Sequence, residues 1–151
     1  MGSPGPQGSK RYVGTFTGKD GREHAKLVES SKKVRPWRQD VVAAAIEAKN
    51  GAAPLDGALI VRMVFTMPKP QSAPKRKRTW PMRTPDLDKL ARSTCDALTT
   101  AGIWADDARV VEYSRLAKVY PGEDVDALNS PGVRIEIRQV EQAQLSLVTV
   151  A

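Results

Sequence analysis

Four aspartates stand where a strongly basic chain has least need of them. Asp86 and Asp88 flank Leu87 directly after Pro85, and Asp106 and Asp107 follow Trp104-Ala105. Two steps along a helix turn about 200°, so two fully helical residues at that spacing diverge. Asp86, however, occupies an N-cap position with extended backbone, and a cap residue can converge with a first-turn residue on one point. Oxygen-only ligands gathered in this way suit Mg²⁺ or Mn²⁺. A carboxylate-held cation flanked by fixed positive charge is the equipment of phosphodiester hydrolysis. The cations hold phosphates, and the metal activates water and steadies the leaving oxygen.

The plain alternative stands beside this one. Aspartate at a cap and in a first turn is what any helix prefers, worth about 0.5–2 kcal/mol for the cap, and Asp106-Asp107 reads equally as a solvated turn. The neighbours bear on the choice. Residues 68–85, PKPQSAPKRKRTWPMRTP, hold five prolines and six basic residues with no acid, and they run straight into Asp86. Long irregular stretches inside a domain are usually functional or disordered. Lys75, Arg76, Lys77 and Arg78 read as a DNA-backbone contact or as a solvated charge run. Trp80 could stack on a base or pack the loop down. Arg92, four residues after Asp88, suits a phosphate or transition-state contact, or a helical ion pair with Asp88 or with Asp96. Lys89, Lys10 and Arg11 are further candidates for the same DNA surface, with Arg35 and Arg38 weaker ones.

The elements that must position these groups are legible from periodicity. Residues 86–102, DLDKLARSTCDALTTAG, form the clearest helix. Leu87, Leu90, Ala91, Thr94, Ala97 and Leu98 share one face, and Gly102 ends it. A second helix follows Pro36, with Val41, Val42, Ala45 and Ile46 recurring at helical steps and Asn50-Gly51 as terminator. Residues 58–67 read as a buried strand, and 109–120 and 132–140 as two more, the latter pair able to form a long hairpin. Residues 1–34 read as largely irregular, with a short extended piece near Tyr12 to Thr17, and the tail 141–151 gets no assignment. The expectation is one α/β (α+β) domain over 1–151, a small mixed sheet packed with two main helices.

Composition narrows the class. The chain has 151 residues, enough for one domain, and a net charge of +7. Such basicity fits a polyanionic partner, nucleic acid above all, without specifying one. Cys95 and His24 are the single cysteine and histidine, so neither an internal disulfide nor a zinc site can be assembled, and both residues read as structural. No apolar run approaches the ~20 residues of a membrane span, and no signal peptide opens the chain. A reducing cytoplasm is the expected compartment.

Residues 86–113, DLDKLARSTCDALTTAGIWADDARVVEY, resemble the signature of the RusA family of crossover junction endonucleases: Asp-Leu-Asp opening a helix, Asp-Ala-Leu, Ala-Gly and a Trp, then Asp-Asp before a valine-rich strand. The opening PGPQGSKR is similar to the proline-rich turn of relatives, and the basic stretch 75–78 sits where the family carries positive charge. The resemblance implies Asp86, Asp88 and Asp107 as metal-binding and catalytic carboxylates, with Asp106 beside them. It also implies Mg²⁺ (or Mn²⁺) as cofactor, four-way DNA junctions as substrate and a homodimer as the working form. Arg92 stands where the family often has a lysine, and Lys89 where it commonly has an asparagine. Relatives carry a strand before the proline-rich turn, where this chain has only Met1 to Ser3. A non-catalytic basic DNA-binding protein, or a nuclease for other branched DNA, are the alternatives.

Overall fold

The computed structural model describes residues 3–6, 10–17, 19–29 and 34–140. In chain order these give β1 (Lys10–Thr17), β2 (Glu23–Glu29), α1 (Val34–Lys49), β3 (Leu59–Thr66), α2 (Leu87–Thr100), a short 3₁₀ turn (Asp107–Arg109), β4 (Val110–Val119) and β5 (Gly132–Gln139). The fold is α+β: two helices and a three-stranded mixed sheet, with β1 and β2 forming a separate two-stranded sheet.

Strand β3 is the centre of the mixed sheet. Seven of its eight residues, LIVRMVFT, are buried and only Arg62 is partly open, so water cannot satisfy its backbone and neighbours on both sides must. The order is β4-β3-β5, with β4 parallel and β5 antiparallel to β3. The expected β4–β5 hairpin is therefore not formed: β3 lies between the two. The apolar faces of β4 and β5 are served as well by β3 as by each other, and local pattern does not distinguish these partners. A parallel β3–β4 pair requires a crossover connection, and α2 supplies it.

Residues 1–34 are also more regular than expected, because β1 and β2 pair antiparallel from Lys10↔Glu29 to Thr17↔Glu23. The connecting turn holds Gly21 at φ 72°, and Asp20 Oδ1 accepts from the Arg22 amide at 3.1 Å. The tail 141–151 lies outside the described residues.

Both helices pack on one face of the mixed sheet. Trp37, Val41 and Ala45 of α1 and Leu90, Ala91, Cys95, Ala97 and Leu98 of α2 meet Leu59, Val61, Met63 and Phe65 in one core. Each of the larger aliphatic and aromatic side chains among them, such as Leu59, Met63, Phe65 and Leu90, contributes roughly 1.5–3 kcal/mol by its burial. Trp37 and Phe65 lie tilted, 6.4 Å between centroids. Pro36 falls in the first turn of α1, as expected, while Ile46 stays exposed. Gly102, at φ 67°, ends α2, and Lys49 Nζ of α1 donates to its carbonyl at 2.8 Å.

Beyond this turn Trp104 is buried, donates from Nε1 to Thr99 Oγ1 at 2.8 Å and bridges to Leu55. That anchor fixes where the chain turns toward Asp106 and Asp107. A cleft of about 520 Å³ opens between α1 and β5, lined largely by apolar groups such as Val41, Ala45, Val133 and Ile135. It contains none of the four aspartates singled out above.

Candidate active site

Asp86 takes the N-cap position of α2 with extended backbone (φ −69°, ψ 142°) and makes no side-chain cap hydrogen bond. Its carboxylate instead pairs with Lys89 Nζ at 2.9 Å. The Lys89 hydrogen bond and charge hold the Asp86 carboxyl below its ordinary range, and Lys118 adds a smaller pull in the same direction. Asp88 sits in the first turn. Both aspartates are exposed.

Asp106 caps the 3₁₀ turn, its Oδ1 accepting from the Ala108 amide at 2.7 Å, which commits one of its oxygens. Asp107 is exposed at the start of that turn. Its charge is felt by the Cys95 thiol and the Tyr113 hydroxyl, which face each other at 3.3 Å. Burial, the leading cause, pushes both of these groups up. Cys95 lies seven residues beyond Asp88, roughly 10 Å along the helix. Among the described residues no three His, Cys, Asp or Glu side chains form a group that could hold a metal ion.

The donor chemistry nevertheless fits a hard cation. Mg²⁺ commonly takes one or two carboxylates together with substrate phosphates, rather than an all-protein cage. Asp86 and Asp88, two exposed carboxylates at one helix mouth, are such a pair.

The supporting residues are placed differently from expectation in two respects. Asp96 pairs with Arg38 of α1, not with Arg92. Arg38 can reach across because α1 packs beside α2. Arg92 is exposed, and among the described residues it forms no ion pair with Asp88 or Asp96. Lys89, read as a DNA contact, is engaged with Asp86. Lys75, Arg76 and Lys77 are exposed. Lys10 and Arg11 begin β1, and their side chains lie outside the described residues.

The basic loop is anchored along its length. Glu123, just past β4, pairs with Lys69 and accepts from the Thr79 amide at 2.9 Å and from its hydroxyl at 3.3 Å. Asp124 pairs with Arg78 at 3.2 Å and with Arg115 of β4 at 2.6 Å. Asp126, buried, is held by Arg62, Arg115 and Arg134 of the sheet. Near the loop's end Lys118 Nζ donates to the carbonyls of Arg83 (3.0 Å) and Pro85 (2.8 Å).

The Lys69 hydrogen bond lowers Glu123 and the Arg115 hydrogen bond lowers Asp124. For Asp126 burial opposes the charge, and Arg62 and Arg115 more than offset it. Sequence reasoning missed Lys118, Glu123, Asp124 and Asp126. The available signal was charge complementarity: the acidic segment GEDVD at 122–126 against an acid-free basic loop.

A family model described as Endodeoxyribonuclease RusA matches residues 3–138. The chain belongs to the RusA endodeoxyribonuclease family. Two RusA relatives illustrate the likeness. The crossover junction endodeoxyribonucleases of Enterobacteria phage 82 and of Escherichia coli (strain K12) are each 58% identical over 31 residues, 20% of this chain and 26% of theirs. The chain therefore matches about a quarter of the length of these curated RusA proteins.

Proposed function

We propose that this chain is a divalent-metal-dependent endonuclease that resolves four-way DNA junctions by paired nicks, acting as a homodimer in the cytoplasm of a bacterium or of a phage's host. The observation that carries the reading is the placement of Asp86 and Asp88, exposed at the mouth of α2, immediately after a basic loop fixed by Glu123, Asp124 and Lys118. Family membership supplies the class of chemistry.

Asp86 and Asp88 would hold Mg²⁺ or Mn²⁺ together with substrate phosphates; the resemblance adds Asp107 and Asp106, whose carboxylates would have to close on the same cation, because the described residues form no group of three. A bound cation would lower the pKa of a coordinated water and neutralise charge on the leaving oxygen. The chain's own groups do the rest. Lys75, Arg76 and Lys77 bind backbone phosphates of the arms. Lys89, now paired with Asp86, would meet a phosphate oxygen if a cation replaced it at that carboxylate. Arg92, exposed one turn beyond Asp88, would offset charge on the pentacoordinate phosphoryl group. Products would carry 5′-phosphate and 3′-hydroxyl ends. A homodimer suits a junction whose arms are related by a near two-fold axis, since two sites on a dyad nick matched strands.

The test is Asp88→Asn on a synthetic four-way junction with and without Mg²⁺. Cleavage falls about a hundred- to thousandfold, while binding without metal is retained or tightened because one repelling charge is gone. Undiminished cleavage by the variant removes Asp88 from the mechanism. Metal-independent binding with no cleavage by the unaltered chain would leave a DNA-binding protein whose aspartates hold no metal. Faster cleavage of flaps or forks than of four-way junctions would reassign the substrate.

A further inference from the structure

We propose that Trp80, with the Arg78 guanidinium stacked on it, is a platform for an unpaired nucleobase at the branch point of the DNA. The inference deepens the nuclease reading and rests on it.

The chain has three tryptophans. Trp37 and Trp104 are 3% and 1% exposed, whereas Trp80 is 53% exposed. An indole left in water at the tip of a floppy loop would mean little. Here the loop is held. Thr79, next to Trp80, is fixed to Glu123 through both its amide and its hydroxyl. Arg78 sits 4.2 Å from the centroid of the Trp80 ring while it also pairs with Asp124, which Arg115 ties to the sheet. Pro81, on the other side, is buried. The ring is thus presented from a braced ridge rather than collapsed into the core.

The chemistry around the ring selects the ligand. A flat π-face paired with a cation, in a loop with six basic residues and no acid, matches a base joined to its phosphate. Base stacking on aromatic rings and cation–π contacts from arginine serve single-stranded nucleic acid in this way. Paired bases inside a duplex have both faces covered, so such a platform engages only a base that has left its stack. The ridge ends at Arg83 and Pro85, whose carbonyls Lys118 grips, and Asp86 follows at once. A base held by Trp80 would therefore set which phosphate lies over Asp86 and Asp88.

The test uses the full chain without divalent metal. It is titrated with a short single-stranded oligodeoxynucleotide, a blunt duplex of the same sequence and a synthetic four-way junction. Binding is followed by anisotropy of labelled DNA and by tryptophan emission, in which Trp80 is the solvent-exposed reporter. Emission should be quenched by the single strand and the junction, and little by the duplex. Trp80→Ala should weaken single-strand binding about five- to 150-fold and duplex binding no more than about twofold. Trp80→Phe should recover most of the loss, which a merely disordered loop would not allow.

Junction binding with unchanged Trp80 emission, or unchanged single-strand affinity in Trp80→Ala, overturns the platform while the nuclease reading stands, and leaves the ridge to a protein partner. Quenching as expected with no cleavage in Mg²⁺ supports the platform and overturns the nuclease reading. Failure to bind any of the three DNAs overturns both.

Discussion

Asp86 and Lys89 are ion-paired across the first turn of α2, three residues apart, Oδ2 to Nζ 2.9 Å. The ammonium keeps the carboxylate charged, yet it occupies the face that a divalent cation would use. Lys89→Ala should raise Mn²⁺ affinity about two- to fivefold at low ionic strength, measured by titration calorimetry, because a like charge beside the cation is removed. Junction affinity should fall in the same variant as a phosphate contact is lost. Metal affinity that does not move would place the cation away from Asp86.

Glu123 holds the basic loop through Lys69 and Thr79. Glu123→Ala should loosen the loop, making it several-fold more susceptible to trypsin, and raise KM for junction DNA with little change in kcat. The contact is also pH-dependent. The Lys69 hydrogen bond depresses Glu123 below its ordinary 4.5, and the Arg115 hydrogen bond depresses Asp124 below 3.8. Groups lowered in the folded state stabilise it fully above their unfolded values, from about pH 5 upward, and that stability is lost as pH falls through the lowered values. The Thr79 amide resonance should report a titration with its midpoint below 4.5. A midpoint at or above that value would mean that the carboxylate is not clamped in solution.

Of the basic run, Arg78 is engaged with Asp124, whereas Lys75, Arg76 and Lys77 are exposed. Replacing these three by alanine should flatten the dependence of log affinity on log salt by about 2 to 3, since each phosphate contact contributes roughly 0.9. Affinities at several salt concentrations decide it: an unaltered slope would show that the run points away from the DNA.

Trp104 is buried, hydrogen-bonded to Thr99 and bridged to Leu55. Trp104→Ala should cost about 3–5 kcal/mol in urea unfolding. Trp104→Phe should cost less but still lose about 1 kcal/mol of hydrogen bond. Because Trp104 sets the course of the chain into Asp107, junction cleavage should fall in the phenylalanine variant at temperatures where it remains folded.

Periodicity made α1, α2 and the three strands of the mixed sheet readable, because apolar spacing of three to four or of two is imposed by the core itself. Sheet order was not readable. Val133, Ile135 and Ile137 of β5 look the same whether their neighbour is β4 or β3, and only the burial of β3 on both faces decides. The β1–β2 hairpin carried a signal that the reading passed over, the Asp20-Gly21 turn between two alternating runs. At the candidate site, Asp86 was legible as a cap because it follows a proline and opens an apolar-periodic run. Lys118, Glu123 and Asp124 were not, because they act on the loop from positions 33 to 54 residues away, through contacts that no local pattern records.

Strand β4 also behaves as a measuring rod laid beside α2. Tyr113 touches Cys95, and Lys118 reaches the Pro85 carbonyl beside Asp86. Five strand steps cover about 17 Å and nine helical steps about 14 Å, so the two elements keep pace only at their present lengths. Inserting or deleting one residue between Arg115 and Lys118, beyond the bulge that β4 carries between Tyr113 and Arg115, would invert the strand's faces from there on, and the same change in α2 would swing the helix by about 100°. Length variation should therefore be absorbed by the connections at 50–58 and 127–131, while these two stretches hold their residue count.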